Sequence, residues 1–360
     1  MASNFSVYTG DLFGLILQVF LFLGSLVVVL GASELLGRGL DRLGSRLSLS
    51  DEVLGMLTAL GADSPEIASA VVALLSGQRD LGVGIVLGSN LFNLAALLGL
   101  SALIAGEVAA PVAGTLLNGV VAVAVTLVAG CLVGGLVTPA VSGFLLLLIV
   151  LPYLYVVVSG RSNLEFLPLP ASWKLLLATS GGDARIESAS IGQQNREQPK
   201  EDNPDLGSGK SWKPVILILP ALAAIVLGSI GLVKSSSAIG SGWLPPAVLG
   251  TFVLASLTGL PNSLTAVRLA RKARGAAVIT ETFNSNTINV LVGLTLPALI
   301  LGVGPHSLLA VVDICWLTFT TVLAVVLTAN SARLTRAQGV VLIGCYVGFA
   351  ATWAFFFRQQ

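Results

Sequence analysis

The sequence predicts an all-α membrane protein of ten transmembrane helices, arranged as two inverted five-helix repeats. Three observations predict it. The 360 residues are 55% hydrophobic and only 10% charged, with a mean hydropathy of +0.92, too apolar for an ordinary soluble domain. Two stretches, 57–106 and 253–302, match without gaps at a constant offset of 196, the separation of Pro65 from Pro261. The cations fall almost entirely on alternate interhelical segments, as expected of a chain threaded back and forth through a bilayer.

Segments free of Asp, Glu, Lys and Arg mark the spans: 12–33, 81–106, 108–160, 214–233, 235–267, 282–312 and 337–357. About 20 apolar residues cross the hydrocarbon core as a helix. The first span is predicted near 12–32; no Lys or Arg precedes it, so it lacks the basic leader of a cleavable signal and is expected to stay. The second, near 52–77, holds Pro65, and the third runs near 81–105. Residues 108–160 are long enough for two, near 109–133 and 138–159, with a turn at Gly134-Gly135 and Thr138-Pro139. Five more follow near 214–234, 244–270, 276–303, 307–329 and 335–357. The chain thus divides into a first repeat over 1–159, a linker over 160–213 and a second repeat over 214–360. The linker is polar and predicted disordered from Thr179 to Ser211; Glu165 to Ala178, with Trp173, suits a short interfacial helix.

Lys and Arg concentrate on the cytoplasmic side of membrane proteins. Arg38, Arg42 and Arg46 follow the first span, and Arg161, Lys174, Arg185, Arg196, Lys200, Lys210 and Lys213 lie in the linker. Arg268, Arg271, Lys272 and Arg274 follow the seventh span, and Arg333 and Arg336 the ninth. All lie on one side of a ten-helix chain, leaving Arg79, Lys234 and Arg358 opposite. Both termini are therefore expected outside and the linker in the cytoplasm. Because five is odd, the second repeat enters the membrane from the opposite side to the first.

The polar matches carry the duplication signal: Pro65-Glu66 with Pro261-Asn262, Ser89-Asn90 with Ser285-Asn286, and Asn93 with Asn289. A polar group in hydrocarbon is costly unless something satisfies it, so the same groups at the same spacing in two places point to one shared site. Inverted repeats of this kind build a midplane site from paired broken helices in secondary transporters. Pro65 and Pro261 are expected to supply the breaks, each removing a backbone donor and freeing carbonyls to face an ion.

The phrase Gly61-Ala62-Asp63-Ser64-Pro65-Glu66 followed by Gly88-Ser89-Asn90-Leu91-Phe92-Asn93 resembles the first α-repeat of the sodium/calcium exchanger superfamily of cation/Ca2+ antiporters. Thr258-Gly259-Leu260-Pro261-Asn262 and Asn284-Ser285-Asn286-Thr287-Ile288-Asn289 keep the frame of the second. The resemblance covers most of the chain apart from the linker. It implies secondary antiport of Ca2+ against Na+ or H+ by alternating access, with cations held among Glu66, Ser89, Asn93, Asn262, Ser285 and Asn289. In the superfamily an acid follows the proline in both repeats, and a further acid often joins from the third or eighth helix. Here Glu66 is the one carboxylate kept at those positions, beside Asn93, Asn262 and Asn289. Calcium favours six to eight oxygens with several anionic ones among them, so transport of another monovalent or divalent cation stands as the alternative.

Helical geometry points to two further acids as metal ligands. Glu281, Ser285 and Asn289 share one helix face at i, i+4 and i+8, with an ion pair to Arg274 or Lys272 as the competing role for Glu281. Asp63, where the superfamily usually has Ser, faces the same cavity if the chain is still helical there. Asp313 lies outside the matched stretches and is expected to cap or pair structurally; His306, in an outer loop, is expected to be solvated. Cys131, Cys315 and Cys345 are too far apart for a metal knuckle and read as small buried hydrophobes. No phosphate-binding glycine loop, zinc motif, serine–histidine dyad or paired aspartates occur, which argues against an enzyme and a resident cofactor. A non-transporting membrane protein remains a further alternative. The expected partners are the bilayer and inorganic cations, with no nucleic acid at a net charge of +1. The compact loops suit a prokaryotic inner membrane.

Overall fold

The computed structural model describes residues 2–47, 59–159, 213–241, 243–302 and 308–357. The linker from 160 to 212, His306, and the expected start of the second span lie outside the described residues. Among those described, nine helices are long and apolar enough to cross a bilayer, and Ser64–Leu75 is a shorter apolar helix.

The first half comprises α1 (Ala2–Arg46), α2 (Ser64–Leu75), α3 (Arg79–Asn93), a π-helical stretch Leu94–Leu100, α4 (Ser101–Ala105), the strand β1 (Glu107–Ala109), α5 (Val112–Val133) and α6 (Pro139–Ser159). The second comprises α7 (Lys213–Ile216), α8 (Ile218–Gly240), α9 (Pro246–Val248), a π-helical stretch Leu249–Leu254, α10 (Ala255–Arg271), α11 (Gly275–Ile288), a π-helical stretch Asn289–Thr295 and α12 (Leu296–Leu301). It closes with α13 (Leu308–Ser331), β2 (Arg333–Thr335) and α14 (Arg336–Phe357). The strands form a two-stranded antiparallel ribbon, Val108 opposite Leu334, that the all-helical expectation lacked. Helix α1 also outruns its predicted end: Glu34 and Arg38 pair at 3.0 Å along one face, so charge ends the apolar run without ending the helix.

The duplication is visible element by element. α3, its π-helical stretch and α4 begin at Arg79; α11, its π-helical stretch and α12 begin at Gly275, the offset partner of Arg79. Gly106 and Gly302, also offset partners, end the two units at positive φ, where a side chain would be strained. The units run antiparallel. The Arg79 guanidinium donates to the Leu301 carbonyl, Val86 packs at Gly293, Asn90 bonds Asn289, and Asn93 bonds Ser285. Numbers rise along one helix as they fall along the other, so one half is turned over relative to its mate.

The proline expectation holds on one side. Asp63, with φ −81° and ψ −5°, forms the turn before α2, and Pro65 lies in that helix's first turn, where its missing N–H costs little. Pro261 instead lies within a continuous α10; the irregular segment of this span is Leu249–Leu254, two turns upstream. One missing backbone bond does not end a helix whose neighbouring turns are well packed.

Two close crossings fix the core. Helices α1 and α8 meet through Gly228 and Gly231 against Ser25 and Val29, small residues that let membrane helices approach. Helix α3 meets the stretch Leu249–Leu254 through Gly84 and Gly88, where a Cβ on Gly88 would overlap the Thr251 backbone, 2.6 Å from its Cα. Because backbone cannot swing aside, Gly88→Ala is expected to destabilise the protein by about 1–3 kcal/mol, read as a lower thermal unfolding midpoint in detergent. The loops sort to two ends: β1, β2 and the turn before Gly275 meet at one, and Gln78 meets Ser237 at the other. The cysteines are unpaired, and Cys315 is exposed on the outer face, contrary to the expected burial: a helix with one packed side leaves small apolar residues facing lipid too.

Candidate ion-binding site

The polar residues shared by the two halves converge where those halves cross. Glu66 projects from the first turn of α2 and Asp63 from the turn before it, both 1% exposed. Asn262 of α10 reaches across, its Nδ2 donating to Asp63 Oδ1 at 2.8 Å and to Glu66 Oε1 at 3.3 Å. The Ser285 hydroxyl of α11 donates to the same Asp63 Oδ1 at 2.7 Å and itself accepts from Asn93 Nδ2 of α3 at 2.9 Å. Asp63 thus joins both helices of the second half to the first. Gly259, the offset partner of Asp63, leaves the opposite position without a side chain, and a Cβ there would fall 3.6 Å from Glu66 Oε1. Both carboxylates of the network therefore come from the first half.

A reciprocal clasp lies beside them. Asn90 Nδ2 donates to the Asn286 carbonyl at 3.1 Å, and Asn286 Nδ2 returns the bond to the Asn90 carbonyl at 3.2 Å. Asn289 Nδ2 donates to Asn90 Oδ1 at 3.1 Å and Ser89 Oγ at 3.5 Å, while Asn93 Nδ2 reaches Asn286 Oδ1 at 3.3 Å. Asn93 directly precedes one π-helical stretch and Asn289 opens another; the wider turn changes the direction of the helix face just where these amides must meet.

After these bonds are made, Asp63 Oδ2, Glu66 Oε2, Asn93 Oδ1, Asn262 Oδ1 and Asn289 Oδ1 remain buried with no hydrogen-bond partner among the described residues. All are oxygens, and two belong to carboxyl groups. Leaving such acceptors buried without a donor costs about 1–3 kcal/mol each, a cost that a bound cation removes. Carboxylate and amide oxygens are the ligands that hard cations take.

Seven of the eight predicted residues, Glu66, Asp63, Ser89, Asn93, Asn262, Ser285 and Asn289, lie in this one bonded network. Glu281 does not join it by a hydrogen bond: it is partly exposed, one turn before Ser285 and within electrostatic reach of Asp63. It makes no ion pair with Arg274 or Lys272 among the described residues. Asn90 and Asn286 were missed as site residues although both belong to the duplicated polar set, which was the signal for them. A second polar cluster, in which Tyr153 of α6 lies between Asn118 of α5 and Asn284 of α11, braces the outer helices against the site. Asp313, inside α13, bonds Thr251 of the stretch Leu249–Leu254 and Trp353 of α14, a structural pairing across helices and not a cap.

The chain matches the family described as sodium/calcium exchanger protein twice, over residues 17–159 and 213–355. It is 39% identical over 98 residues to CaxA of Alkalimonas amylolytica, a match covering 27% of this chain and 30% of that protein. It is 27% identical over 290 residues to the inner membrane protein YrbG of Escherichia coli (strain K12), covering 79% of this chain and 80% of YrbG. Among solved structures, the H+/Ca2+ exchanger CAX aligns with a TM-score of 0.67 at 15% identity, covering 94% of this chain and 82% of that one, a likeness of fold.

Proposed function

Because this chain belongs to the sodium/calcium exchanger protein family, we propose that it is a secondary antiporter exchanging Ca2+ for Na+ or H+ at the crossing of its inverted halves. The observation that carries this reading is the set of buried oxygens on Asp63, Glu66, Asn93, Asn262 and Asn289 that have no hydrogen-bond partner among the described residues. Two carboxylates match the charge of one divalent ion, and the neutral carbonyls and nearby hydroxyls complete an oxygen shell. Asp63 supplies the charge that Asn262 does not. Alternating access follows if the two halves rock about the site so that it opens first to one side and then to the other.

A specific observation favours a second reading, transport of another cation with weak or no Ca2+ affinity. The Asn262 amide points its donor at both carboxylates, where the superfamily pattern has an acid. One experiment separates the two: flux in proteoliposomes across Na+, K+, Ca2+, Mg2+ and Mn2+. Ca2+ uptake driven by an opposing Na+ or H+ gradient is the expected result; gradient-driven movement of another cation without Ca2+ selects the second reading, and no gradient-driven flux rejects both. The clustering of Lys and Arg supports termini outside, the linker within the cytoplasm, and residence in a prokaryotic inner membrane.

A further inference from the structure

Asp313 stands apart from the ion network and from the duplicated stretches. It is 2% exposed within α13. Its Oδ1 accepts from Trp353 Nε1 of α14 at 2.6 Å, and its Oδ2 accepts from Thr251 Oγ1 at 3.2 Å. No Lys or Arg among the described residues comes within ion-pair distance. Both partners are neutral, and an asparagine would satisfy them equally, its carbonyl toward Trp353 and its amide toward Thr251. What a carboxyl adds is a proton that comes and goes.

The hydrogen-bonding inventory fixes where that proton resides. An indole N–H only donates, so Oδ1 must remain an acceptor; a threonine hydroxyl donates or accepts, so Oδ2–H can donate to Thr251 Oγ1. The 3.2 Å between Oδ2 and Oγ1 serves a hydrogen bond in either direction, so the ionised and protonated forms share these heavy-atom positions. Trp353 is held in turn by an edge contact to Phe252, 5.8 Å between ring centres.

We propose that Asp313, Thr251 and Trp353 form a proton-binding site separate from the ion cavity and coupled to it through α3. The coupling is geometric. Thr251 fills the groove of Gly84 and Gly88, and Gly88 is followed directly by Ser89 and Asn90, whose bonds cross to the other half. Changing which atom owns the Asp313–Thr251 hydrogen changes the hold of Thr251 on α3 next to the ion ligands. The elements packed around Asp313 carry Arg79 and Asp80 on α3, Cys131 on α5, Cys315 on α13 itself, and Arg336, Cys345 and Tyr346 on α14, with none on Leu249–Leu254. Arg79 bonds Leu301 and Tyr346 pairs with Ser256, so neither is directed at Asp313.

The link to ions rests on the exchanger reading; the proton site does not. Infrared difference spectra of the full chain in lipid vesicles, taken between alkaline and acid pH, read the carbonyl stretch of protonated carboxyls. A band present in the wild type is expected to be lost in Asp313→Asn and shifted in Thr251→Val, which leaves the acid but removes its acceptor. Adding Ca2+ or Na+ is expected to change that band. A spectrum unchanged in Asp313→Asn overturns the site, and a band lost there but indifferent to both cations overturns the coupling. If Asp313→Asn does not fold, Thr251→Val decides, an unmoved band overturning the site. Absent flux in the wild type with the band intact counts against the exchanger reading and leaves the proton site standing.

Discussion

Glu66→Gln is expected to abolish gradient-driven cation exchange in proteoliposomes while leaving the protein folded. The side chain is 1% exposed, and one of its oxygens has no partner among the described residues, so its charge is aimed at whatever enters the site. At about 4 Å and an effective dielectric near 20, one unit charge is worth roughly 4 kcal/mol to a monovalent cation and about twice that to a divalent one. Even half of the lower figure, roughly 2 kcal/mol, is more than a tenfold loss of affinity, and the whole of it approaches a thousandfold. The glutamine carbonyl still accepts from Asn262, so the contact between α2 and α10 survives. Two measurements therefore part: the thermal midpoint stays near that of the wild type, and cation uptake falls by two orders of magnitude or more. Uptake equal to the wild type would mean that the polar network around Glu66 is not the transport site.

The sequence was legible where the physics is local or repeated. Apolar runs gave the spans because hydrocarbon tolerates little else, and the offset of Ser89-Asn90 and Ser285-Asn286 pointed to the polar network where the two halves cross, because polar residues are too costly in a membrane to recur idly. What stayed hidden depends on geometry that composition does not encode. The continuous helix through Pro261 and the wide turns at Leu94, Leu249 and Asn289 follow from how neighbouring turns pack. No hydropathy pattern separates a π-helical turn from an α-helical one. The contact between Asp313 and Trp353 spans 40 residues between different helices, and only the fold brings them together. The same holds for Asp63, where periodicity allowed a place in the cavity but did not show that its Oδ1 would be shared by Asn262 and Ser285.

That sharing makes the second strong effect one of charge relocation. Asp63→Ser restores the residue usual in the superfamily and leaves Glu66 as the network's one carboxylate, so Ca2+ affinity is expected to fall by about a hundredfold or more on the same Coulomb reasoning. Asn262→Glu alone does the opposite and brings a third acid against Asp63 Oδ1, where the amide now lies 2.8 Å away. Like charges so close cannot all stay ionised, so this variant is expected to be less stable without divalent cation and to regain stability when Ca2+ is added. Combining the two changes places one acid after each proline, Glu66 in the first half and residue 262 in the second, with two carboxylates as before. The double variant is expected to recover Ca2+ affinity to within about tenfold of the wild type, far from the sum of the single losses, because the residues touch and their effects couple. Equilibrium Ca2+ binding to the four proteins completes the cycle. Additive losses would mean that residues 63 and 262 do not serve one ion, and that the charge in this site was never transferred from one half to the other.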